Sequence, residues 1–234
     1  MLCQWIGVTR RIDEKKNIMG STLPDFVVIE GPIGVGKSSL ASRIALDFEA
    51  DLVREEIEEN PFLDHFYQRP SEAALSAQLF FLMQRTKQMQ GLRQSSIFNH
   101  SKVADYLLEK DQLFAQVTLS PIEYDLYQQV FEHLVIDAPT PDLVVYLQAP
   151  VNTLMERIKK RGRHIERHIE PTYLERLNEA YANFFHHYSA APLLVVNAAD
   201  IDFINNEGDY EQLKTQILNT TSGRHYFNPL PFAS

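Results

Sequence analysis

Residues 31–38 read Gly31-Pro32-Ile33-Gly34-Val35-Gly36-Lys37-Ser38 and fit the pattern G-x-x-x-x-G-K-[ST] at every position. The surroundings are those the pattern needs. A short apolar run, Phe26-Val27-Val28-Ile29-Glu30, precedes it and reads as a buried parallel strand. After it, Leu40, Ile44, Ala45 and Phe48 recur at helical spacing over 37–49. Such a loop is a phosphate cradle. Its glycines let successive backbone N–H groups turn inward around an anion, and the helix that follows adds its positive end. Lys37 places a mobile ammonium on the β and γ phosphates, and Ser38 offers a hydroxyl to Mg²⁺. The cradle as read comprises Gly31, Ile33, Gly34, Val35, Gly36, Lys37, Ser38 and Ser39. A chance glycine-rich turn is the competing explanation, and the flanking strand and helix weigh against it. The motif implies a bound nucleoside triphosphate without saying how it is used.

The rest of the chain narrows the use. Short apolar segments at 26–30, 52–53, 102–105, 142–147 and 192–196 alternate with helical patterns at 37–49, 71–91, 106–119, 121–134, 151–161, 172–188 and 207–218. On the 71–91 helix, Leu75, Leu79, Leu82 and Met83 are read as one apolar face. That alternation predicts an α/β fold with a central parallel sheet of about five strands flanked by helices. The 234 residues are enough for one large domain, here expected over 25–219 with a lid at 161–170. Residues 1–24 are expected to be a disordered extension, with Met19 a possible start, and 220–234 an irregular tail. The first residues have the wrong charge order for a signal peptide, so the default compartment is the cytoplasm. No apolar run reaches the roughly 18–20 residues of a membrane span. The formal charge of −9 argues against a general nucleic-acid binder. A single cysteine, Cys3, excludes an internal disulfide. There is no N-K-x-D guanine-reading motif, and a helicase-type motor needs more chain, which leaves a small P-loop kinase.

Acids and arginines stand where such chemistry would use them. Glu55, Glu56, Glu58 and Glu59 follow the second short strand, at the end of an α/β sheet that faces ligands. An acid there can accept a proton from an attacking hydroxyl; a solvated acidic surface is the plainer alternative. Asp105 ends the third strand and is either a Mg²⁺-holding acid or a helix N-cap. Arg157 and Arg161 share a helix face, Gly162 ends that helix, and Arg163 and Glu166 begin the lid. Arginines of this kind either close on a transferring phosphoryl group or simply offset a helix C-terminus. His164, His168, His186 and His187 have no zinc-type spacing with acids and are read as lid or surface residues.

Taken in order, Gly31–Ser38, Glu55 with Asn60-Pro61-Phe62, Tyr67, Gln78 with Arg85, Asp105, Asp111 and Arg157-x-x-x-Arg161-Gly162-Arg163-x-x-Glu166 resemble the deoxyribonucleoside kinase family. The likeness is greatest to bacterial deoxyadenosine/deoxyguanosine kinases and the related deoxycytidine kinase branch, and covers residues 26–218. It implies the P-loop nucleoside-kinase fold, ATP as phosphate donor, Mg²⁺ and a homodimer. It also implies roles. Glu55 deprotonates the sugar 5′-hydroxyl, and Tyr67 and Glu166 bind the 3′-hydroxyl. Gln78 reads the base, with Arg85 and Asp111 beyond it. Arg157, Arg161 and Arg163 grip phosphates. Asp105, with Ser38, stands near Mg²⁺, and Asp202 and Phe203 lie near the donor adenine. The catalytic set would be Glu55, Lys37, Arg161 and Arg163.

Two departures stand out. Asp105-Tyr106-Leu107 replaces the family's Glu-Arg-Ser, removing an arginine from the phosphate shell. Glu55-Glu56-Ile57 replaces Glu-Pro-Val, which makes Glu56 a rival base. The acceptor is expected to be deoxyadenosine or deoxyguanosine, then deoxycytidine. A nucleoside monophosphate kinase is the second reading. Against it, Arg54 and Arg69 are the only arginines or lysines across 54–78, where an acceptor phosphate would need cations. A nucleotide-binding regulatory module without turnover is the third.

Overall fold

The computed structural model describes residues 22–94, 100–134 and 138–229. Most of the expected N-terminal extension lies outside them, although Leu23 is buried in the core. The chain alternates β1 (Phe26–Glu30), α1 (Lys37–Asp47), β2 (Asp51–Val53), α2 (Leu63–Gln68), α3 (Pro70–Gln94) and β3 (Lys102–Ala104). It continues with α4 (Lys110–Thr118), α5 (Pro121–Leu134), β4 (Leu143–Gln148), α6 (Val151–Arg161), α7 (Pro171–His187), β5 (Leu193–Asn197), α8 (Glu207–Asn219) and β6 (Arg224–Phe227).

All six strands are parallel, in the order β2-β3-β1-β4-β5-β6. β1 is central: Val27 pairs with Val103 on one side and Val28 with Val144 on the other. The unbroken apolar runs of β1 and β4 follow from burial on both faces of the sheet. From β1 the chain crosses outward to β2, returns to β3, and then continues on the opposite side through β4. The carboxyl ends of the strands around that reversal open onto one crevice, the usual ligand position in such sheets.

The structure corrects several expectations. The sheet has six strands rather than about five, because Arg224–Phe227, expected to be irregular tail, pairs with β5. The helix expected from Tyr106 starts at Lys110 instead. Tyr106, Leu107 and Leu108 are buried in the loop that precedes it, so their apolar character serves packing rather than helical periodicity. On α3, Met83 is 63% exposed, whereas the buried face carries Ala73, Ala74, Ala77, Gln78, Phe81, Leu82, Arg85 and Met89. Three polar side chains, Gln78, Arg85 and Thr86, on the inward face of a long helix mark where the fold has been shaped for something other than packing. A short 3₁₀ turn at Ile57–Glu59 and the helix α2, neither expected, bring Tyr67 alongside that face.

Candidate active site

One cavity runs from the phosphate loop, between α2 and α3, to the lid after α6. Its donor end is made largely of backbone. Gly36 precedes α1 at φ +110°, and a Cβ there would stand 2.9 Å from the Phe203 ring. At Gly31 a Cβ would meet the Leu147 carbonyl oxygen at 2.3 Å. Both positions therefore require glycine. Buried Glu30 anchors the loop's entry: it accepts from the Gly31 N–H (2.7 Å), the Tyr181 hydroxyl (3.0 Å) and the Leu107 N–H (2.7 Å). Ile33, Gly34, Gly36, Lys37, Ser38 and Ser39 line the cavity, and Val35 packs beneath it. Lys37 Nζ donates to the Gly31 and Pro32 carbonyls at 2.6 and 3.1 Å. Burial, then the nearby Lys110 charge, lowers its pKa to about 8.

The acceptor end is made of side chains from distant segments. Glu55, just past β2, is held by Arg85 from α3 and by Lys110 from α4, the latter at 2.8 Å. Arg85 Nη1 reaches Asp111 at 2.7 Å. These side chains are 0–6% exposed. Burial pushes the Glu55 carboxyl up, but Arg85 and Lys110 outweigh it and hold the group well below the usual carboxylate range. Lowering a carboxyl this way keeps it ionised. Glu55 lines the cavity, whereas Glu56 is exposed and does not.

Gln78 is 3% exposed, and its Nε2 donates to the Thr118 hydroxyl at 3.3 Å. That hydroxyl donates to the Phe114 carbonyl at 2.7 Å, so toward Gln78 it can only accept. The orientation of the Gln78 amide is thereby set. Leu63, Phe66, Phe81, Phe114 and Tyr173 supply apolar walls around it. Tyr67 stacks among them, with ring centroids 5.3 Å from Phe66 and 6.4 Å from Tyr173. From the lid, Arg161 makes a two-point contact with Glu166, at 3.1 and 2.6 Å, and Arg163 lies 3.9 Å from the same carboxylate. Both arginines and Glu166 face the cavity.

Other expected site residues take different positions. Asp111 is wholly buried behind Arg85 rather than at the cavity wall, so it acts on the cavity only through that guanidinium. Arg157 donates to the carbonyls of Val35 (3.3 Å) and Ala198 (2.8 Å), tying the phosphate loop to the segment after β5. Asp202 caps the turn 203–205 by accepting from the N–H groups of Ile204 and Asn205, and Phe203 is buried under Gly36. Asp105 caps β2's exit, its Oδ1 accepting the Glu55 N–H at 2.8 Å. The helix N-cap alternative for Asp105 fails because the helix starts at Lys110.

Sequence reasoning missed Lys110 and the aromatic walls. The sequence carried a signal for Lys110: it precedes Leu113 and Phe114 by three and four residues, on the inward side of α4. The acceptor region was also read as poor in cations, whereas Arg85 and Lys110 enter it from outside 54–78, each paired with Glu55.

A profile of the deoxynucleoside kinase family matches residues 27–222. Deoxyguanosine kinase of Bacillus subtilis is 35% identical over 197 residues, covering 82% of this chain and 95% of that protein. Deoxyadenosine/deoxycytidine kinase of the same organism is 31% identical over 206 residues, covering 83% and 92%. Deoxyadenosine kinase from M. mycoides, solved with bound dATP, superimposes with a TM-score of 0.71 at 27% identity, covering 82% and 98%. With a match that spans strands β1 to β5, the phosphate loop and the lid, this chain belongs to the deoxynucleoside kinase family.

Proposed function

We propose that the chain transfers the γ-phosphoryl group of ATP to the 5′-hydroxyl of a deoxyribonucleoside, with deoxyguanosine and deoxyadenosine preferred and deoxycytidine next. The observation that carries this reading is the placement of Glu55 in the same cavity as Lys37, where the two cations beside Glu55, Arg85 and Lys110, are already paired with its carboxylate. The loop N–H groups and Lys37 hold the triphosphate at one end. The sugar lies between Tyr67 and Glu166. The base lies against Phe81, Phe114 and Tyr173, and Gln78 presents its remaining donor and acceptor to one base edge.

In the transfer, the 5′-oxygen attacks the γ-phosphorus as its proton passes to Glu55, the bridging P–O bond breaks, and ADP leaves with the electron pair. Arg161 and Arg163 close on the transferring group, which requires Arg161 to loosen its contact with Glu166 as the sugar takes that carboxylate. Ser38 and Asp105 are the residues that would hold Mg²⁺. Ser38 is exposed and lines the cavity; Asp105 is buried behind the cavity wall and keeps one carboxylate oxygen beyond the one capping Glu55, so Ser38 is the better placed of the two. Among the described residues no group of three or more His, Cys, Asp or Glu could hold a metal. Bound Mg²⁺ would supply positive charge to offset the negative charge of the triphosphate during transfer.

An acceptor that already carried a phosphate would bring its charge beside Glu55 and Glu166, which disfavours a nucleoside monophosphate kinase. Two relatives, a deoxyguanosine kinase and a deoxyadenosine/deoxycytidine kinase, support the preference for these bases. The reading includes a cytoplasmic homodimer, supported by the family resemblance alone. It is tested by kcat/KM for the four deoxynucleosides with ATP and Mg²⁺. Deoxyguanosine or deoxyadenosine should lead; a clear thymidine preference would overturn the assigned specificity.

A further inference from the structure

Lys110 has no task in the transfer as described, yet it stands at its centre. It opens α4, its side chain is 5% exposed, and its Nζ lies 2.8 Å from Glu55 Oε2 and 5.3 Å from the centre of the Phe114 ring. Residues 105–109, which lead from β3 into α4, contain no lysine or arginine. Lys110 and Lys37 both line the cavity, one from α4 and one from the phosphate loop. Their charges repel. Glu55 neutralises Lys110 at 2.8 Å, and a phosphate drawn into the same cavity by Lys37 offers that ammonium a second anion. Arg85 cannot fill that role. Its planar fork is held by Glu55 and Asp111 at once, with the Phe81 ring 4.9 Å away. A lysine, with three donors on a flexible stem, can exchange one oxygen for another by rotation.

Building on the proposed phosphoryl transfer, we propose that Lys110 is a catalytic residue. Its ammonium moves from Glu55 Oε2 to an oxygen of the γ-phosphoryl group as that group passes to the 5′-oxygen. One side chain thus neutralises the group in flight and frees the oxygen of Glu55 that takes the proton. The bookkeeping of bonds is that of the transfer itself: O5′–H breaks, O5′–P forms, the bridging P–O bond breaks toward ADP, and Lys110 keeps its proton throughout. Before the phosphate arrives, the lysine holds the base in place and ionised. Once it arrives, the base is released where the proton appears.

The test uses the full chain, with Lys110→Met, Lys110→Gln and Lys110→Arg variants, deoxyguanosine, and ATP with Mg²⁺. Lys110→Met should lower kcat about 10²–10³-fold, as loss of one preorganised transition-state donor does. Both KM values should stay within about threefold, and Lys110→Arg should recover about tenfold over Lys110→Met. Affinity for ADP with aluminium fluoride and deoxyguanosine, a mimic of the group in flight, should fall in step with kcat. Affinity for a non-hydrolysable ATP analogue should hold. If Lys110→Met does not fold by circular dichroism, Lys110→Gln is held to the same criteria. A kcat within about threefold of the parent in the folded neutral variant overturns the proposal, as does equal weakening of the mimic and the analogue. Failure of the parent chain to release ADP with any deoxynucleoside would instead tell against the kinase reading beneath it.

Discussion

The two ends of the cavity are built in opposite ways. The donor end is a continuous stretch of backbone, residues 31–39, shaped by glycines and ending in a helix N-terminus. The acceptor end is a set of side chains from α2, α3, α4, the exit of β2 and the lid, joined by ion pairs such as Glu55–Arg85 and Glu55–Lys110, 30 and 55 residues apart. A backbone site tolerates little change in its glycines but asks little of the rest of the chain. A side-chain site can be retuned one residue at a time, because each partner arrives on its own element. On this account donor binding is generic, and acceptor choice is set by the side chains at the other end.

Substitutions can break that contrast. The largest effect is expected at the lid. Arg161→Ala should lower kcat by about 10³-fold or more, the range of arginines that close on a transferring phosphoryl group. If kcat holds, the Arg161–Glu166 contact is only a structural clasp. Next comes the base-reading amide. Gln78→Leu leaves a nucleobase edge unpaired and should raise the deoxyguanosine KM about 10–100-fold, with the ATP KM unchanged. Equal loss at both substrates would erase the division between the two ends. The smallest effect is a pH dependence at the donor end. Burial, then Lys110, lowers the Lys37 pKa to about 8. Because the charged form binds phosphate, kcat/KM for ATP should fall as pH rises through about 8 and recover as pH drops below it. Replacing Lys110 with Met removes the repulsion and should move that limb to higher pH.

The same contrast explains what the sequence made legible. The phosphate loop could be read in full, because its ligands are contiguous and its glycines have one conformational purpose. The central strands were legible because β1 and β4 are apolar on both faces. β6 was not. At the sheet edge, with neither face fully covered, Arg224-His225-Tyr226-Phe227 needs no apolar run, and its pairing with β5 is a tertiary fact. Tyr106, Leu107 and Leu108 were misread as helix because burial in a loop and burial on a helix face draw on the same residues. At the other end Glu55 and Glu166 stood out as acids at a strand end and in the lid, whereas Tyr67, Gln78 and Arg85 could be named in advance only through family resemblance. Their convergence depends on packing between elements, and their pairing, Glu55 with two cations and Arg161 with Glu166, is set by burial that no local pattern encodes.

The central claim is that Glu55 takes the proton of an uncharged sugar hydroxyl. Single-turnover measurement on Glu55→Gln, with saturating deoxyguanosine and ATP, tests it most directly. The account predicts a transfer step slowed about 10²–10⁴-fold, with the affinity for ATP retained. A transfer step at the parent rate would contradict it.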